Sequence, residues 1–184
     1  MVKSYTQEHI YKHPWERVTS ACWRKFTDPE NTPYLSHILE VDTLNRSLDH
    51  ETGRLHTTRA ITVHAPGPRW IQRLIGQEIC RCVETSTVDP KSKFMESTAK
   101  NVSLRRFIEV EEKCMYRPHP ENPNWTLFEQ KTSIKCSPLS TLASMAERIE
   151  HRCAERFLQN SVKGREVMER ICKYLEADST SIGI

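Results

Sequence analysis

The residues of this chain best suited to chemistry are basic, and none has an evident catalytic companion. The C-terminal segment carries Arg148, Arg152, Arg156, Lys163, Arg165 and Arg170. Read as a helix, it places Arg156 and Lys163 two turns apart at the edge of an apolar stripe, near Asn160 and Gly164. From that edge both can reach a bound phosphate, although a basic helix face is also what plain solvation produces. Lys25 closes an earlier helical stretch, where a cation favours the helix dipole in any protein and can equally meet an anionic ligand.

Enzyme signatures are missing from the sequence. The five glycines are scattered, so there is no phosphate-cradling loop, and no G-x-S-x-G, H-E-x-x-H or C-x-x-C occurs. The eight histidines have no nucleophile or carboxylate partner by spacing. The expectation is a protein without catalytic residues, allowing that active sites also assemble from distant positions. Cys80 and Cys82 share one face of a strand, yet no second Cys/His pair stands at ligand spacing. They read as half-buried thiols, with no metal and no cofactor expected.

The apolar stripe runs through Leu142, Met145, Ile149, Cys153, Phe157, Gly164, Val167, Met168, Ile171, Tyr174 and Leu175. Its period is close to 3.6, predicting a helix from Ser137 to Ala177 about 60 Å long, with a frayed tail over Asp178–Ile184. Such a helix exceeds what a small sheet needs for cover, and laid over a curved sheet it can wall a cavity for an apolar ligand.

The remaining elements must build that sheet. Strands are expected over residues 2–12, 37–48, 54–64, 78–88, 93–103, 106–117 and 125–136, and a helix over Pro14–Phe26. Hairpin-length connections imply antiparallel pairing, so the class is α+β: a curved, mostly antiparallel seven-stranded sheet with a long C-terminal helix. One domain over residues 1–177 accounts for the length. The strand at 106–117 alternates poorly, which suits either a lumen that takes a polar head group or an edge strand in water.

A short insert at 65–76 places Trp70, Ile71, Leu74 and Ile75 beside Arg69 and Arg73. That combination suits a membrane interface, or a connecting helix packed on the sheet. The net charge of +3 is too small to argue for nucleic acid, and no apolar run is long enough to span a bilayer. Met1–Thr6 has neither an apolar signal core nor an Arg-rich presequence.

Several local patterns, in order, carry a resemblance. They are His13-Pro14-Trp15-Glu16, Arg24-Lys25-Phe26-Thr27-Asp28-Pro29, Val88-Asp89-Pro90, Met115-Tyr116-Arg117-Pro118-His119-Pro120 and Lys163-Gly164-Arg165-Glu166-Val167-Met168-Glu169. Together they resemble the PRELI-like family, and within it the slowmo branch, over about residues 1–177. The resemblance implies a START-like fold and a lipid carrier of the mitochondrial intermembrane space, moving one anionic phospholipid, phosphatidic acid or phosphatidylserine, between outer and inner membranes. It also implies transient membrane contact, a small disulfide-stapled helical partner protein and import without a transit peptide.

By the same resemblance, Lys25, Lys163, Arg156 and His37 are head-group residues. Pro68-Arg69-Trp70, with Ile71 and Leu74, forms the lid that docks on membranes. The chain departs from the family at Phe26-Thr27-Asp28-Pro29, where an aromatic-Pro-Asn-Pro is usual, and at Val63, where some members carry a lid lysine. Head-group preference therefore stays unassigned. The alternative reading is a scaffold or regulatory domain that grips a protein partner without carrying lipid.

Overall fold

The computed structural model describes residues 2–65, 78–136 and 143–181. Seven strands form one antiparallel sheet in the order β1-β7-β6-β5-β4-β3-β2. They are β1 (Val2–Tyr11), β2 (Ile38–Leu48), β3 (Leu55–His64), β4 (Ile79–Asp89), β5 (Phe94–Asn101), β6 (Ile108–Pro118) and β7 (Thr126–Cys136). Helix α1 spans Trp15–Arg24 and helix α2 spans Ala143–Ser181. Only the first and last connections leave the meander: β1 reaches β7 across the sheet, and α2 returns over it.

Turn chemistry sets the registers. At the β2–β3 hairpin the Asp49 carboxylate accepts from the Glu51 and Thr52 N–H groups, and Gly53 takes φ +76°, a conformation that L-residues rarely adopt. Asp89 does the same after β4, accepting from Lys91 and Ser92 while Arg54 donates Nε–H to it at 2.9 Å. Pro14 precedes the first turn of α1, with Glu16 within that turn.

The core sits at one end of the concave face. Tyr11, Met95, Tyr116 and Phe128 from the sheet meet Trp15, Val18, Ala21 and Cys22 of α1 and Val167, Met168, Ile171 and Cys172 of α2. The Trp15 indole N–H donates to the Tyr116 carbonyl at 3.2 Å, so its one polar atom is satisfied inside this core. In contrast, Ala154 is the one buried residue of α2 between positions 151 and 163. The C-terminal half of the helix is thus packed, and residues 151–163 before it carry little apolar cover.

Three expectations are corrected in detail. Tyr174 is 62% exposed, whereas Cys172 and Ala154 are buried, so the stripe is rotated slightly from the predicted one. The helix continues through Asp178 to Ser181, past the expected start of the tail. β6 lies between β5 and β7, which removes the edge-strand account of its poor alternation. Val63, matched to a lid position, sits within β3 opposite Ile38.

Asn31 ties the three parts together. It is 1% exposed, and its amide N–H₂ group donates to the carbonyls of Arg24 and Lys25 at 3.5 and 3.2 Å, capping the end of α1. Its Oδ1 accepts from Arg170 of α2 at 2.7 Å, and that guanidinium lies 4.7 Å from the Tyr34 ring. Asn31→Ala removes a buried amide from the Lys25 carbonyl and takes from Arg170 its 2.7 Å acceptor, a cost of about 2 kcal/mol. The expected result is a fall in thermal midpoint of about 4–8 °C by calorimetry; an unchanged midpoint would remove Asn31 from this role.

Candidate functional site

Three separate segments bring the predicted basic residues together. Lys25 follows the last turn of α1, its N–H donating to the Ala21 carbonyl at 3.0 Å. Its ammonium lies 5.1 Å from the centre of the Phe26 ring and rests on α2 at buried Gly164. A Cβ at Gly164 would stand 3.5 Å from Lys25 Nζ, so the absent side chain is what leaves room for the amine. Lys163 is the adjacent residue of α2, with Arg156 two turns before it, and both are exposed.

His37 lies one residue ahead of β2, its carbonyl accepting from the His64 N–H at 2.7 Å. The ring is half-buried. Burial first, then the positive charges of Lys25, Lys163 and Arg156, hold its imidazole below the ordinary value. Four groups distant in sequence therefore share one electrostatic neighbourhood, and its sign favours an anion. Phosphate chemistry fits: multiple N–H donors, charge compensation and one imidazole that an arriving anion makes easier to protonate.

A second set of residues, missed by sequence reasoning, lines the sheet beneath them. Cross-strand register places Thr43, Arg59, Glu84, Ala99, Glu112, Thr132 and Tyr5 in one row across all seven strands. The next row holds Arg46, Thr57, Ser86, Ser97, Cys114, Gln130 and Gln7. This polar band separates the apolar core from a more apolar stretch that includes Val41, Ile61, Val110 and Ile134. The poor alternation of β6 has this origin, since Glu112 points inward.

Contacts knit the band to both helices. Arg59 lies 3.7 Å from the Glu84 carboxylate and 4.6 Å from the centre of the Trp23 ring, which Arg46 approaches at 5.2 Å. A pocket of about 170 Å³ opens there, lined by Trp23, Phe26, Thr27, Val41, Thr43, Arg46 and Arg59. Burial raises the Glu84 carboxyl, partly countered by Arg59 and Lys25. Gln130 Nε2 donates to Glu112 at 2.7 Å and to Ser161 of α2 at 2.8 Å. Arg165 donates to Gln7 at 3.0 Å.

Cys80 and Cys82 do share a face, their sulfurs 4.0 Å apart. The Cys82 hydrogen bond, with a smaller contribution from Ser103, draws the Cys80 thiol down to about 7. The lid residues Pro68, Arg69, Trp70, Ile71 and Leu74 lie outside the described residues.

A profile of the PRELI-like family matches residues 16–178. The chain belongs to that family. It is 36% identical over 164 residues to the slowmo homolog of Dictyostelium discoideum, covering 89% of this chain and 68% of that one. It is 30% identical over 166 residues to the mitochondrial protein UPS2 of Saccharomyces cerevisiae, covering 89% and 70%. A UPS-like protein of Schizosaccharomyces pombe is 32% identical over 171 residues, covering 92% and 89%.

Among solved structures, TTHA0849 from Thermus thermophilus aligns with TM-score 0.58 at 14% identity, over 94% of this chain and 99% of that one. The Zhui aromatase/cyclase from a Streptomyces species aligns with TM-score 0.60 at 9% identity, over 94% of both chains. These likenesses establish that the PRELI-like chain has a START-like fold, a curved sheet crossed by a C-terminal helix.

The state of His37 is directly measurable in this PRELI-like protein. Its folded pKa is lowered, so its contribution to stability is complete above the ordinary imidazole value of about 6.5 and is lost as pH falls through that value toward the lowered one. In an NMR titration the His37 ring should titrate below the free imidazole. Adding a short-chain anionic phospholipid should move it upward, with proton uptake. An unshifted His37 resonance on ligand addition would separate it from the site.

Proposed function

We propose that this PRELI-like protein is a non-enzymatic carrier. It takes one anionic phospholipid, phosphatidic acid or phosphatidylserine, between the outer and inner mitochondrial membranes through the intermembrane space. The convergence of Lys25, His37, Arg156 and Lys163 at the edge of the concave face carries this reading. A phosphate removed from water without counter-charge is prohibitively costly, and this quartet offsets that cost.

Acyl chains exchange bilayer hydrocarbon for the apolar stretch of the concave face and the helix above it. Their transfer in either direction is then close to isoenergetic per buried CH₂. The segment at 65–76 serves as the lid through its Pro68-Arg69-Trp70 element: Trp70, Ile71 and Leu74 enter the acyl boundary while Arg69 meets lipid phosphate. A small disulfide-stapled helical protein stabilises the carrier between encounters. Support for the compartment comes from the relative named as mitochondrial and from membership of the PRELI-like family.

Native mass spectrometry of the purified chain, with and without a co-expressed helical partner, tests the reading. One phospholipid per chain, acidic in head group, is expected. Partner retained with no lipid in any preparation would instead mark a scaffold, and turnover of a supplied lipid would mark an enzyme. Lys25→Glu should abolish extraction of anionic lipid from vesicles while the thermal midpoint stays within about 3 °C. Unfolding by that substitution would make Lys25 structural. Trp70→Ala should reduce liposome association more than lipid occupancy; equal losses would place Trp70 in the lumen.

A further inference from the structure

Two thiols on the inner face of β4 have no part in the carrier chemistry. Cys80 and Cys82 flank Arg81 along the strand, so their side chains leave the sheet on the same side as Glu84. Cross-strand register sets Cys80 beside Val63, and Cys82 between Ile61 and Asn101. The pair therefore stands in the apolar stretch of the concave face, beyond the polar band. Both are half-buried, whereas Cys22, Cys114, Cys136 and Cys172 are buried. Of the remaining cysteines only Cys153, on α2, is comparably accessible.

The two sulfurs are not equivalent. Cys80 Sγ lies 4.0 Å from Cys82 Sγ and 3.7 Å from the Ser103 hydroxyl, which donates to it. Ser103 is held in place by the Arg81 N–H, which donates to its Oγ at 2.8 Å. As a thiol, Cys80 can donate to the Arg81 carbonyl at 3.9 Å; as a thiolate it accepts from both neighbours. The Cys82 hydrogen bond above all, opposed by burial and helped by Ser103, brings Cys80 down to about 7. Cys82 moves the other way, through its bond to Cys80 first and burial second, and keeps its proton. The register neighbours Val63, Ile61 and Asn101 carry no charge, and the Glu112 carboxylate of β6 acts on Cys82. A nucleophilic sulfur beside a protonated donor is the arrangement that thiol–disulfide exchange uses.

We propose that Cys80 is a modification site for low-molecular-weight disulfides, with Cys82 and Ser103 as its activating donors, and that the mixed disulfide it forms closes the apolar stretch to acyl chains. The closing role rests on the carrier reading; the site itself does not. The Cys80 thiolate attacks one sulfur of the reagent. A new S–S bond to Cys80 replaces the reagent's own, and the released thiolate takes a proton from water. Direct closure onto Cys82 is disfavoured, because residues two apart on a strand have Cα atoms about 6.6 Å apart, near the far end of the range a disulfide spans.

Reduced protein is treated with oxidised glutathione over a series of pH values, and adducts are located by intact-mass and peptide mass spectrometry. One glutathione on Cys80 is expected, with a rate midpoint near 7 instead of the ordinary thiol value of about 8.5. At that lower pH about half of Cys80 is ionised against about 3% of an ordinary thiol, and the weaker nucleophilicity of a more acidic thiolate cancels about five-fold of the gain. Cys82→Ala should therefore slow the reaction about three-fold at neutral pH and raise its midpoint, and Ser103→Ala should do the same more weakly. An adduct shared evenly with Cys153, or a midpoint that neither variant moves, overturns the site and leaves the carrier reading standing. Treated protein should extract about ten-fold less phosphatidic acid from doped phosphatidylcholine vesicles, since a polar tripeptide then occupies the apolar stretch. Dithiothreitol should restore extraction, and Cys80→Ser should show no difference between treated and untreated samples. A Cys80 adduct that leaves extraction unchanged removes the closing role. If the untreated protein extracts no lipid, the carrier reading falls and the mapped adduct still decides the site.

Discussion

Burial of the C-terminal half of α2 against α1 and one end of the sheet is the constraint on which the rest of the molecule depends. Val167, Met168, Ile171 and Cys172 are each 4% exposed or less and close the core over Tyr11, Tyr116 and Phe128. Full burial of each large apolar side chain stabilises by about 1.5–3 kcal/mol, so this contact dominates any surface interaction of the helix. Polar clamps then fix the rotation of the helix. Glu169 faces both His9 and His13, and Arg17 donates to Glu176 at 2.8 Å. With one half immobilised, the remainder of a 39-residue helix is held across the concave face as a fixed wall.

That wall stands over a layer a purely structural core would not contain. Arg59, Glu84, Glu112, Gln130 and Thr57 occupy inward positions that apolar residues would fill more favourably. The layer is partly compensated from within, by the Arg59–Glu84 pair, the stacking of Arg59 on Trp23, and the Gln130 bridge to Ser161. It divides the concave face into a closed apolar end and a recess, and the basic quartet sits at the margin of that recess. The proposed carrier, holding a charged group inside and releasing it, needs polar surface there rather than a dry interior.

The resting place of Lys25 illustrates how finely the elements are interlocked. Its backbone carbonyl is held by Asn31, Asn31 is held by Arg170, and the ammonium lies over Gly164 on the same helix as Arg170. The long loop between α1 and β2 therefore contributes to the site through the anchoring by Asn31 as well as through the side chain at its end. His37 ends that loop and enters the field of the same cations.

Much of this was legible in the sequence, for identifiable reasons. Helical periodicity over about forty residues, hairpin-length connections and turn residues such as Asp49 and Gly53 are local signals, and they specify seven strands, two helices and an antiparallel sheet. The family patterns around Lys25 and Lys163 pointed to a basic site. The polar band was not legible, because one row draws a single residue from each of seven strands and only the registers bring them into line. For the same reason the poor alternation of β6 admitted an edge strand until its neighbours were known. Tyr174 was expected in the covered stripe and is exposed, while Cys172 beside it is buried, because only the position of α1 decides which side of a 3.6-residue stripe is covered. The sequence by itself determined the elements, their order and the presence of basic residues at the end of α1 and along α2. Tertiary structure alone decided which charges share a low-dielectric recess, since that depends on strand register and on the rotation of one anchored helix.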